Sequence, residues 1–253
     1  MDTLRVAGVA AVAASVFMAG LRAQDRERVT THDGVVRVEI EEISNALSSA
    51  LYEVSGVCRC VISYEDPEWS FSGDLAQQPD GRGGSLWIAR KSRLDVSVPT
   101  SLPLTRESAA DLVERLIVED ARNGGSARFE VFQGRTLEVR PTRVKDRDGV
   151  ERVATLLLDT PISLRRGQID ASNWLRRIAG EISRATGKDV SGIWAPGGPY
   201  YRDLITLEAE HEPARVVLDR LLAQLPRPAG WAVNYIPFMN RFSLAVQFQR
   251  IVE

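Results

Sequence analysis

The sequence predicts an α+β fold built from two tandem copies of a small sheet-and-two-helix unit. Three observations lead there. Stretches that alternate with period two, such as Ile205, Leu207 and Ala209 against Thr206, Glu208 and Glu210, mark strands. Stretches with period 3.6, such as Val217, Leu218, Leu221, Leu222 and Leu225, mark amphipathic helices. The same order of strand, helix, strand, helix and closing hairpin occurs in residues 35–144 and again in 150–253.

Residues 1–23 carry the marks of a secretory leader. Arg5 supplies the positive start, residues 6–20 are uninterruptedly apolar or small, and Ala23 offers a cleavage point before Gln24. The run falls short of the roughly 20 residues a membrane span needs, so no stable anchor is expected after cleavage. An uncleaved anchor is the alternative, because Leu21 is large where a cleavage site prefers a small residue. Residues 24–34 read as a flexible N-terminal segment ending in the Asp33-Gly34 turn.

The first unit opens with a strand at 35–40 and a helix with Ile43, Leu47, Leu51 and Val54 on one face, ended by Gly56. A short buried strand follows at 57–62, then a long polar loop at 64–84. Strands at 85–90 and 94–98 lead into a helix over 107–121. Asn123-Gly124-Gly125 breaks that helix, and a hairpin about Gln133-Gly134 closes the unit. The turn at 145–149 is expected to join the copies as a second hairpin, with residues 150–153 echoing 35–38. In the second unit, Trp174, Ile178, Ile182 and Ala185 line a helix ended by Gly187. Pro213 opens the last helix, Pro226 and Pro228 stop it, and strands at 231–236 and 241–246 finish the chain.

Composition narrows the function classes. Formal net charge is −2, so no long-range positive field recruits nucleic acid. Only Lys91, Lys145 and Lys188 are lysines, and the arginine bias runs along the whole chain without singling out a site. No phosphate loop, dinucleotide fingerprint, nucleophile elbow or paired-cysteine zinc pattern is present, so no cofactor and no catalytic residue is named. Glu208, Glu210, His211 and Glu212 have metal-like chemistry, but strand alternation sends the first two glutamates to solvent and Glu212 complements a helix start.

Two candidate sites stand out. Cys58 and Cys60 are the candidate redox pair. On a strand they share a face about twice the 3.3 Å rise apart with parallel side chains, which favours two buried thiols over a local disulfide. Export to an oxidising compartment would favour the bond. The candidate binding loop holds Trp194, Tyr200, Tyr201 and Arg202 among Pro and Gly residues, a set suited to stacking on a sugar or peptide. Tyr64, Pro67, Trp69 and Phe71 occupy the corresponding loop of the first unit, and the alternative for both loops is capping the end of a core.

Strand 205–210, the helix run Pro213-Ala214-Arg215-Val216-Val217-Leu218-Asp219-Arg220-Leu221-Leu222 and its closing hairpin resemble the short N-terminal domains of secretins and TonB-dependent receptors. The resemblance covers about 45 residues and is looser at 94–139; it implies a docking domain and carries over no site residue. The sequence thus points to a periplasmic or secreted, non-enzymatic interaction module with a protein or cell-wall partner, docking to a secretion or uptake apparatus. A glycan or peptide binder using the aromatic loops, and an enzyme of unidentified reaction, are the alternatives. Oligomeric state is not readable.

Overall fold

The computed structural model describes residues 29–58, 60–81, 83–100, 102–193 and 203–248. They form an α+β protein of four helices and fourteen strands in mixed sheets. Among them no helix is long and apolar enough to cross a membrane.

The first half runs β1 (Val29–His32), β2 (Val35–Ser44), α1 (Ala46–Val57), β3 (Ile62–Glu65), β4 (Leu75–Pro79), β5 (Ser85–Ala89), β6 (Lys91–Pro99), α2 (Arg106–Arg122), β7 (Arg128–Gln133) and β8 (Leu137–Lys145). The second runs β9 (Glu151–Val153), β10 (Pro161–Asp170), α3 (Ala171–Thr186), β11 (Asp189–Ile193), β12 (Leu204–Pro213), α4 (Ala214–Leu222), β13 (Ala229–Ile236) and β14 (Arg241–Phe248). Local chemistry sets the helix ends. The Thr105 hydroxyl accepts from the Ser108 amide at the start of α2, and Asp170 does the same for Asn173 in α3. Gly187 ends α3 at φ +70, a left-handed conformation that glycine adopts without a Cβ clash.

In the first half β2 pairs antiparallel with β6, β3 pairs parallel with β8, and β8 pairs antiparallel with β7. In the second, β10 pairs antiparallel with β12, β11 pairs parallel with β14, and β14 pairs antiparallel with β13. The halves meet in one sheet of order β11-β14-β13-β3-β8-β7, with β9 on β8. The junction is the parallel pair of β3 and β13, which is tight: a Cβ on Gly230 would lie 2.5 Å from Val61 Cγ1 and 2.7 Å from Ser63 Oγ. Two hydrophobic cores, one per half, flank this sheet, and Trp69 packs against both.

Several sequence expectations are corrected. Val29–His32 is a strand on β2, because Asp33 and Gly34 form a left-handed turn that folds the segment back. Ile43 belongs to β2, and α1 starts after Asn45. Helix α1 continues through Gly56, so the following strand begins at Ile62 and not at 57. The 64–84 segment is not all loop, since β4 and β5 make a two-stranded ribbon. The turn at 145–149 does form a hairpin, but the strand it introduces, β9, is short and serves β8. The strand that pairs with β12 is β10, which begins at Pro161, 11 residues after the start of the echo of 35–38 at Val150.

Candidate functional site

Among the sequence-predicted sites, Trp194, Tyr200, Tyr201 and Arg202 lie outside the described residues. Cys58 and Cys60 are bonded to each other, not free thiols. The strand geometry expected for them does not apply: both precede β3, in the turn leaving α1, and this turn brings their Cα atoms to 5.1 Å. Both are buried. In the first-half aromatic segment Tyr64 and Pro67 are buried and Trp69 and Phe71 half-buried; Tyr64 belongs to the first core and Trp69 packs against both. Glu208 and Glu210 face solvent and Glu212 pairs with Arg220.

Three other constellations emerge. The first is an ion cluster between the halves. The buried Arg215 guanidinium, carried by α4, reaches Glu65 of β3 at 3.2 Å, Glu138 of β8 at 3.3 Å and Asp159 at 2.8 Å, and stacks 5.3 Å over the Trp231 ring. Glu65 also accepts from the Leu158 amide at 3.2 Å, and Glu138 from Arg140. Burial pushes the Glu65 carboxyl up against the opposing pull of Arg215.

The second is a set of buried and half-buried carboxylates beside a narrow cleft of about 50 Å³. Asp66 accepts from the Tyr64 hydroxyl at 2.5 Å, the Tyr235 amide at 3.0 Å and Asn45 Nδ2 at 3.3 Å. Burial still pushes its carboxyl up to about 7, outweighing those hydrogen bonds. Asp120 is pushed up to about 6 by burial and by the charge of Asp74. Asp74, itself raised by burial, accepts from the Ser126 hydroxyl and from the Ser126 amide at 3.3 Å. The cleft is small for a substrate.

The third is an open groove of about 660 Å³ between β6 and α2. Strand β6 lies at the edge of the sheet β1-β2-β6, so its outer backbone groups have no strand partner. Leu94, Val96 and Val98 turn into the core, while Arg93, Asp95 and Ser97 face outward. Asn123 Nδ2, at the end of α2, donates to the Arg93 carbonyl at 2.7 Å, which marks the backbone groups of Arg93, Asp95 and Ser97 as those directed at the groove. Val118 lies on its helix wall, half its surface in solvent. Asp95, Asp111, Glu114 and Glu119 line it against Arg115 and Arg122.

The sequence signals missed the ion cluster because it joins residues far apart in the chain, such as Arg215 and Glu65. The alternation of β6 and the exposed Val118 on α2 were readable; their juxtaposition across an unpaired edge was not. By class this is an α+β protein that carries, among the described residues, an open groove along a strand edge beside a helix. Comparison with protein-family models, with curated proteins and with solved structures finds no match to the chain.

Proposed function

We infer that the chain is an exported, non-enzymatic interaction module of a bacterial cell envelope, made of two copies of one sheet-and-two-helix unit. The observation that carries the interaction reading is the groove along β6, an unpaired nine-residue edge strand beside an exposed helix face. Export is supported by the leader pattern at residues 1–23 and by the Cys58–Cys60 bond, since disulfides persist in oxidising compartments. The two-copy reading is supported by the matching pairings: β2-β6 with β10-β12, β3-β8 with β11-β14, and β7-β8 with β13-β14. On this reading each half is a unit like the short N-terminal domains of secretins and TonB-dependent receptors, and the module docks to a secretion or uptake apparatus.

Cell fractionation tests the export part. Expressed from its full sequence in a Gram-negative host, the protein should be released by osmotic shock with an N-terminus near Gln24. Full-length protein that pellets with membranes would overturn it.

A further inference from the structure

The two halves treat the same strand edge differently. In the second half side chains of α4 and of the turn after it close the free edge of β12. Arg220 donates to the Glu208 carbonyl at 2.8 Å, and Gln224 donates to the Thr206 carbonyl at 3.2 Å. In the first half Asn123, just past α2, donates to the carbonyl of Arg93. Matched on their buried faces, Ala109, Ala110, Leu112, Val113 and Leu116 against Ala214, Arg215, Val217, Leu218 and Leu221, the two helices place Arg115 where Arg220 stands and Glu119 where Gln224 stands. A carboxylate accepts and cannot donate, so Glu119 leaves the Asp95 carbonyl uncapped. It is instead within 3.3 Å of Asn123 Nδ2 and 3.7 Å of Arg122. The Asp95 side chain is turned away as well, held by Arg37 at 2.6 Å and 2.8 Å. No hydrogen bond or ion pair involves Asp111, Glu114 or Arg115 side chains among the described residues.

We propose that the β6 edge takes an extended, basic segment of a partner polypeptide as a fourth strand, held by the backbone of Asp95 and Ser97 and by the acids of α2. This rests on the interaction-module reading and names the partner's chemistry. A strand laid in the groove supplies the N–H donors that α4 and the turn after it supply to β12, and accepts from the Asp95 and Ser97 amides. Its alternate side chains reach Asp111, Glu114 and Glu119, where acids outnumber bases, which selects lysine or arginine. An apolar residue between them covers Val118. At the far end Pro99 lacks an edge N–H, and at the near end Asn123 already occupies the Arg93 carbonyl, so the docked segment is short.

The test selects peptides from a random library on the whole folded chain and reads their binding by anisotropy and by amide NMR shifts. Enriched peptides should be rich in Lys and Arg and should move the Asp95 and Ser97 amides. Glu119→Gln copies the Gln224 closure seen on β12 and should weaken them by about tenfold or more at unchanged melting temperature. If Glu119→Gln melts below the parent, Ser97→Pro decides. It removes one edge donor where a strand tolerates proline, and the same loss is expected. The proposal is overturned if no peptide is enriched, if the enriched peptides move only other amides, or if the variant that keeps the parent's melting temperature binds them as tightly as the parent does. Osmotic-shock release with the expected N-terminus would still support export in that case, so the two failures are distinguishable.

Discussion

Asp66 shows how a single buried acid makes stability depend on pH. Its carboxyl sits among Tyr64, Asn45 and the Tyr235 amide without a cation, and burial raises it from the ordinary 3.8 to about 7. Between those values the folded chain holds a proton that the unfolded chain has released. The stabilisation is therefore complete below about pH 4 and is lost as pH rises to about 7. Asp120, raised to about 6, and Asp74 and Glu65, also raised by burial, add slopes of the same sign. Surface acids paired with arginines, such as Asp95 and Asp146, are held below their ordinary range and act only at lower pH. The urea midpoint should thus fall from about pH 4.5 to pH 7.5. Asp66→Asn should flatten that fall while keeping the neutral hydrogen-bonding shape; an unchanged slope would mean that Asp66 is ionised throughout.

At the scale of the element, how much the sequence revealed depended on how regular each segment is. Helix α4 was legible because Val217, Leu218, Leu221 and Leu222 recur with helical spacing, and all four are buried in the second core. Leu221→Ala should cost about 2–5 kcal/mol in equilibrium unfolding, because it empties a fully buried site. A loss under about 1 kcal/mol would put that face outside the core. Strand β10 escaped notice because its alternation breaks at Arg165, Arg166 and Gly167, where the pairing with β12 shifts register. Strand β11 is five residues long, and its pairing with β14 is parallel and distant, so no local turn announces it. Cys58 and Cys60 were misplaced for a related reason: α1 runs one residue past Gly56, which moves both out of a strand. The edge of β6 was visible as a strand, but whether it is paired is a property of the sheet.

At the scale of the molecule, two separate cores share one sheet. Strand β3 lies between β8 of its own half and β13 of the other, and the backbone amide of Trp231 donates to Ser63 across that seam at 3.2 Å. Arg215 spans the same seam, binding Glu65 and Glu138 from α4. None of this could be read locally, since Arg215 and Glu65 stand 150 residues apart. Removing one member of such a cluster leaves buried charge unpaired and typically costs about 3–5 kcal/mol. The central claim is that the halves form one cooperative body which presents the open β6 edge. Calorimetry of the folded chain and of Arg215→Met tests this most directly. The parent should unfold in a single transition with equal calorimetric and van't Hoff enthalpies, and the variant should melt lower, with both cores failing together. Two separate transitions in the parent, with only the higher or lower one moved in Arg215→Met, would contradict it.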